Sequence, residues 1–177
     1  MNNLFEKFSL RGKVIVITGA TGLLGRKHAQ AVACYGGTPL LIDLSQASVD
    51  QFSRELNKKY NCDSKGFALD ITDENAVKNN VKQLILKFDS IDGLVNNAAN
   101  NPKVENRNHI NFSRLENFPL DAWNNDIAVG LTGSFLCAKH YGFLISQNPR
   151  GGSIVNISSD LGLIAPDQRL YEVEGVD

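Results

Sequence analysis

Four apolar residues, Val14-Ile15-Val16-Ile17, run through Thr18 straight into the turn Gly19-Ala20-Thr21-Gly22-Leu23-Leu24-Gly25. No other feature narrows the possible folds of this chain as much. An unalternating β-branched run suits a parallel strand covered on both faces. Glycines directly after it permit a tight turn, a close approach of backbone to ligand, and tight packing of the next helix on the strand. A helix opening at such a turn presents free N–H groups and a partial positive charge, the combination that holds a phosphate. A mononucleotide P-loop needs four residues between its glycines and then Lys-Ser/Thr. Here five residues separate Gly19 from Gly25 and Arg26 follows, so the spacing G-x-x-G-x-x-G points to a dinucleotide pyrophosphate instead.

The rest of the chain repeats the same strand–helix alternation, as βαβ units do. The pattern predicts strands over Lys13 to Thr18, Pro39 to Leu44, Gly66 to Asp70, Gly93 to Asn96 and Gly152 to Ser158. Between them it predicts helices from Leu23 to Cys34, from Gln46 to Tyr60 with Phe52 and Leu56 as the buried i, i+4 pair, and one opened by Thr72-Asp73-Glu74. That helix should turn Ala76, Val77, Val81, Leu84, Ile85 and Phe88 inward. Asn100 to Phe118 and Asp160 to Asp177 read as loop, and Pro119 starts a long helix to about Gln147. The expected architecture is α/β over a single domain, residues 1–177. It is a Rossmann-type doubly wound parallel sheet of order 3-2-1-4-5.

Composition narrows the partners. A net charge of −1 and no basic run longer than a pair argue against nucleic acid and anionic membranes. Val14 to Ile17 is too short to span a bilayer, and Met1 to Arg11 holds no signal-like apolar core. Cys34, Cys62 and Cys137 form neither a disulfide framework nor a metal-ligand spacing, and His28, His109 and His140 show no metal spacing either. The expectation is a metal-free cytoplasmic protein whose histidines are surface or packing residues.

Asp43 closes the second strand 18 residues after Gly25. A carboxylate there accepts hydrogen bonds from the ribose hydroxyls of NAD and repels the 2′-phosphate of NADP. No Lys or Arg occurs from Ala20 to Gly25 or directly after Asp43, which favours NAD. The alternative is that Asp43 caps the helix that follows.

Four segments in this order resemble the short-chain dehydrogenase/reductase family. They are the glycine turn, Asp70-Ile71, Asn96-Asn97-Ala98-Ala99 and Ile157-Ser158-Ser159. The resemblance covers about Gly12 to Gly162. It implies NAD as cofactor, held by Thr18, Gly19, Thr21, Gly22, Leu23, Leu24 and Gly25 at the turn and by Asp43 and Leu44 at the ribose. It also implies that Asp70 and Ile71 border the adenine, and that Asn96 to Ala99, with Asn97, Ala98 and Ala99 on the cofactor, line the cleft and brace the sheet. Ser159, in the frame Ser159-Asp160-Leu161-Gly162, is the implied catalytic serine, its hydroxyl donating to a substrate carbonyl or alkoxide.

Two family features are altered. Tyr171 stands 12 residues after Ser159, but Tyr171-Glu172-Val173-Glu174-Gly175 puts glycine where the family carries lysine. The lysine would lower the tyrosine pKa and orient the nicotinamide ribose, so Tyr171 reads as a loop residue. The catalytic tyrosine–lysine pair, with the last strands of the family fold, is then expected beyond Asp177. In the long helix Gly130 replaces a family asparagine, and a helical glycine at that cost suggests close packing.

Asn97 to Pro102, Val129 to Gly133 and Ala165 to Tyr171 further resemble a flagellin-modification and legionaminic-acid branch of the family. The expected function is therefore NAD(H)-dependent oxidoreduction of a carbonyl or alcohol on a small molecule, with a nucleotide sugar as one candidate. The full-length form is expected to be a homo-oligomer and the chain as given to be inactive. The alternatives are a sugar-nucleotide epimerase or dehydratase, whose branch uses G-x-x-G-x-x-G, and a non-catalytic NAD-binding fragment.

Overall fold

The structure is a computed structural model; the described residues are 4–100, 115–165, 167 and 169. A short helix α1 (Leu4–Lys7) precedes β1 (Val14–Thr18), α2 (Leu23–Cys34), β2 (Thr38–Asp43), α3 (Gln46–Tyr60), β3 (Lys65–Ala68), α4 (Glu74–Ile85) and β4 (Gly93–Asn96). After Pro119 come α5 (Leu120–Ile127), a π-helical segment (Ala128–Gly133), α6 (Ser134–Gln147) and β5 (Ser153–Asn156). The strands form one five-stranded sheet in the order β3-β2-β1-β4-β5, and every pairing is parallel.

Alternation along each strand builds two cores, one per face. Val16, Leu40, Ile42 and Leu94 pack with Val77 and Leu84 of α4 and with Cys137, Tyr141 and Ile145 of α6. Ile17 and Leu41 pack with Ala29 and Val32 of α2 and with Val49, Phe52 and Leu56 of α3. The Tyr141 hydroxyl, wholly buried, donates to Asn80 Oδ1 at 2.8 Å, so this polar group enters the first core satisfied.

Helix ends follow local chemistry. Ser45 caps α3 by accepting from Ser48 N, and Asn61 closes it in the left-handed conformation. Asp73 caps α4 by accepting from Asn75 N and Ala76 N. Asp43 therefore does not cap α3; that role belongs to Ser45.

Several expectations need correction. β3 starts at Lys65 and ends at Ala68, before Asp70, and β5 ends at Asn156. Ile85 is exposed, lying off the inner face that carries Val77, Val81 and Leu84, and buried Asn80 takes an inner position instead. The long helix is not uniform. Its backbone widens to π geometry at Ala128–Gly133, and a Cβ placed on Gly130 would meet nothing within 4 Å. The glycine in close contact is Gly133, where a Cβ would lie 2.7 Å from Ile71 Cγ1 and Cδ1.

At the amino ends of the strands, Asp92 ties three elements together. Its side chain is 2% exposed and accepts from Val14 N and Lys13 Nζ at 2.9 Å, Asn148 Nδ2 at 2.9 Å and Arg150 at 3.1 Å. Burial pushes its carboxyl upward, but the hydrogen bonds from Val14, Lys13 and Asn148 and the lysine charge outweigh that, and the net shift is downward. β5 is the outer strand on this side, and all four of its residues are exposed.

Candidate functional site

A cavity of about 560 Å³ opens at the carboxyl ends of the strands. Its walls come from the β1–α2 turn (Gly19, Thr21, Gly22, Leu23, Leu24) and the end of β2 (Ile42, Asp43, Leu44). The segment after β3 (Leu69, Asp70, Ile71), the segment after β4 (Asn97 to Asn100) and Val129 of the π segment complete it. In open parallel α/β sheets, ligands bind at this end, at the point where the strand order reverses. Here β2 and β4 flank β1 on opposite sides, so the β1–α2 turn sits at that point.

The turn is built around close contacts that only glycine allows. Gly19 has φ +61°, and a Cβ there would lie 2.8 Å from Ala98 Cα. A Cβ on Gly25 would lie 2.1 Å from Gly19 O, so α2 can approach the turn only because position 25 is bare. Gly22 caps α2 without a side chain, and no side-chain oxygen takes the N–H groups of the first helical turn. A glycine cradle at an uncapped helix start fits a pyrophosphate.

Asp43 faces this turn from the end of β2. Its Oδ2 accepts from Thr21 N at 2.9 Å and from the Thr21 hydroxyl at 2.7 Å, and its Oδ1 accepts from Leu44 N at 2.8 Å. Arg26, the first cation after the turn, is engaged elsewhere. Its Nε donates to Thr21 O at 3.2 Å, and its guanidinium stacks 4.3 Å from the Phe52 ring centroid and pairs with Glu55.

Of the residues singled out from sequence, Thr18 and Gly25 lie beneath the cavity rather than on its wall. Thr18 is 1% exposed, and its hydroxyl accepts from Asn97 N at 3.0 Å and Ala98 N at 3.1 Å, clamping β1 to β4. Asn97 returns the clamp by donating from Nδ2 to Thr18 O and Gly19 O. Asn96 donates to Ser134 O and to Asn156 Oδ1, bracing β4 against α6 and β5. Asp70 Oδ1 accepts from Thr72 N and Oγ1, which fixes the turn after β3.

Ser159 follows β5 at the same end of the sheet, outside the cavity wall. It is exposed and caps a short 3₁₀ turn, Asp160–Gly162. Its Oγ accepts from Leu161 N and donates to Asp160 Oδ1, both at 3.2 Å. Tyr171, Gly175 and His109 lie outside the described residues. His140 is not a bare surface residue, since its Nε2 is 2.9 Å from Glu74 Oε1.

Ile42, Leu69, Asn100 and Val129 also line the cavity and escaped the sequence reading. Leu69 and Asn100 adjoin motif residues and could have been found by extending each motif by one position. Val129 is brought in by the π segment, which leaves no periodic signal.

With this geometry in place, comparison with known proteins gives the class. A sequence model of the short chain dehydrogenase family matches residues 13–171. The chain belongs to the short-chain dehydrogenase/reductase family. It is 33% identical over 156 residues to an uncharacterized oxidoreductase, YxbG, of Bacillus subtilis, with 88% of this chain and 53% of that protein covered. It is 32% identical to trans-4-hydroxycyclohexanecarboxylate dehydrogenase of Sinomonas cyclohexanicum, over 86% of this chain and 56% of that one. The chain thus spans little more than half the length of these relatives.

Among solved structures, NAD+-bound xylitol dehydrogenase superposes with a TM-score of 0.77 at 26% identity, over 89% of this chain and 56% of that one. An NADPH-dependent 3-quinuclidinone reductase from Rhodotorula rubra gives 0.74 at 25%, over 94% and 60%. Neighbours of both cofactor types share this fold, so the fold alone does not separate NAD from NADP.

Proposed function

We propose that this chain is the NAD(H)-binding portion of a short-chain oxidoreductase that interconverts a secondary alcohol and its ketone on a small polar molecule. The observation that carries the reading is the pairing of the glycine cradle with Asp43 across one cavity. Gly19 to Gly25 and the start of α2 would hold the pyrophosphate. Asp43 and Leu44 would meet the adenosine ribose, Asp70 and Ile71 the adenine, and Asn97 to Ala99 the cleft beyond. When bound, the nicotinamide supplies or takes up the hydride. Two features support NAD over NADP: a carboxylate at the ribose end, and an Arg26 already committed to Thr21 O, Glu55 and Phe52.

Ser159 would donate its hydroxyl hydrogen to the substrate oxygen, turning away from Asp160 to do so. The family resemblance implies the tyrosine of a Tyr-x-x-x-Lys pair as general acid/base, and Tyr171 has Gly175 where that pattern carries its lysine. A small alcohol or polyol substrate is supported by the names of two relatives, trans-4-hydroxycyclohexanecarboxylate dehydrogenase and D-threitol dehydrogenase. A nucleotide-sugar carbonyl is the second reading, favoured by the branch-like segments Asn97 to Pro102 and Val129 to Gly133. We assign the protein to the cytoplasm on its three unpaired cysteines and the full-length form to a homo-oligomer on the exposed Phe135 and Phe143 of α6. Leu136, next to Phe135 in the chain, is buried.

The test is turnover of NAD+ and NADH with a panel of polyols, cyclic alcohols, ketones and keto sugars. It compares this chain with one extended through the next helix. The extended chain should turn over and lose activity about 100-fold or more on Ser159→Ala. The short chain should not turn over. Equal turnover by the short chain, abolished by Tyr171→Phe, would show that the site is complete without the lysine.

A further inference from the structure

The cavity wall that follows β4 is fastened at both ends. At its start, Asn97 N and Ala98 N donate to the Thr18 hydroxyl and tie it to β1. At its far end, Asn100 Nδ2 donates to Asp126 Oδ1 at 2.9 Å and ties it to α5, 26 residues along the chain. An ionised carboxylate only accepts, so the amide must present its nitrogen, and the bond is charge-assisted. Asp126 is half-buried in the last turn of α5, three residues before Val129, and residues three apart share a helix face. Asn100 and Val129 both line the cavity. The helix that carries Asp126 is anchored below it. Gly133 is bare where Ile71 closes on it, and Cys137 and Tyr141 of α6 lie in the core. Asp126 thus stands on a fixed element, whereas Asn100 belongs to a segment that has already left the sheet.

We propose that Asp126 is a positioning residue for the dinucleotide: acting through Asn100, it holds the far end of the post-β4 wall against the α5–π helix, so that the cavity is formed before the cofactor enters. This rests on the NAD(H) reading above and gives a role to a residue that neither lines the cavity nor belongs to the glycine turn. The gain comes from pre-organisation. A wall end left free must be ordered when the ligand binds, and that cost is taken from the affinity. With the Asp126 bond in place, the ordering is done by the fold. The effect belongs to binding and not to global stability, because the bond joins two surface side chains and alanine is a better helix former than aspartate.

The experiment is calorimetric titration of the chain with NAD+, for wild type, Asp126→Ala, Asp126→Asn, Asn100→Ala and the Asn100→Ala/Asp126→Ala double variant. Urea unfolding and amide exchange of each unliganded protein accompany it. Asp126→Ala should bind NAD+ about tenfold more weakly, the factor that ordering one residue's backbone is worth. Asp126→Asn keeps an acceptor for Asn100 and should restore most of the affinity. In the Asn100→Ala background, Asp126→Ala should have no further effect, because its partner is already gone. Exchange at Ala99 and Asn100 should quicken in unliganded Asp126→Ala, while its urea midpoint does not fall. Asp126→Ala that binds NAD+ like wild type would overturn the proposal. An equal loss with and without the Asn100 side chain would overturn it too, by showing that Asp126 does not act through Asn100. So would a loss of affinity that merely follows a lowered urea midpoint. Wild type that binds no NAD+ is a separate failure, since it refutes the NAD(H) reading together with any role for Asp126 in it.

Discussion

Two glycines three residues apart in the π segment should respond to alanine with opposite signs. At Gly130 a Cβ meets nothing within 4 Å, so Gly130→Ala adds no clash. It removes the entropic cost of a helical glycine, and stability should rise by about 0.5–1 kcal/mol. At Gly133 the same methyl would lie 2.7 Å from Ile71 Cγ1 and Cδ1. Ile71 is 6% exposed and belongs to the core shared with α4 and α6, so it has little room to retreat. Overpacking there costs about 1–3 kcal/mol, against the same gain of about 1 kcal/mol from helix propensity. The net loss is about 1 kcal/mol, and the two variants should differ by about 2 kcal/mol. With a urea m-value of about 2 kcal/mol per M, their midpoints should lie about 1 M apart, on either side of wild type. Ile71 also lines the cavity, so Gly133→Ala should weaken cofactor binding and Gly130→Ala should not. Midpoints that shift in the same direction would refute the packing assignment.

Other consequences follow from the remaining structure. Asp92→Ala strips a buried carboxylate from Val14 N, Lys13, Asn148 and Arg150 and should cost about 3 kcal/mol in urea unfolding at pH 7, the low end for a broken buried pair because its cations are partly exposed. Because the folded-state pKa of Asp92 is depressed, its contribution is complete at neutral pH and declines as pH falls below about 4; the variant should lose stability less steeply than wild type below about pH 4, and an unchanged limb there would contradict the linkage. Cys137 is fully buried and burial pushes its thiol up to about 12, whereas Cys34 is exposed, so a thiol reagent should label Cys34 in the native protein and reach Cys137 only on unfolding. β5 is an outer strand with Ile154 and Val155 40% and 49% exposed, and Ile157 just after it is 39% exposed, so sedimentation should show concentration-dependent association of the 177-residue chain, and a persistent monomer would argue against it.

The sheet order and the helices Leu23–Cys34 and Gln46–Tyr60 were legible because burial imposes a period on sequence, and the strand–glycine–helix junction fixes its own register. Most of the cavity wall was legible for the same reason: those residues sit at or just after the ends of strands 1 to 4, and strand ends can be read. What escaped depends on side chains meeting across the fold. Thr21 and Asp43 are 22 residues apart, and nothing in either segment announces that one hydroxyl and one amide converge on the same carboxylate oxygen. Which of Gly130 and Gly133 is packed was not decidable, since both sit in Val129-Gly130-Leu131-Thr132-Gly133 and only the position of Ile71 distinguishes them. Val129 lies in the π segment, and a single π turn leaves no periodic mark in sequence by which its place on the cavity wall could be read.

The central claim is that a dinucleotide binds at the carboxyl ends of the strands, on the β1–α2 turn. Residue-resolved amide hydrogen exchange of the chain with and without saturating NAD+ tests it directly. Exchange should slow at Gly22 to Gly25, at Leu44 and at Ala98 to Asn100, and stay unchanged at Gly151 to Ser153 on the opposite end of the sheet. Unchanged exchange around the turn, or protection confined to the Gly151 end, would contradict the account.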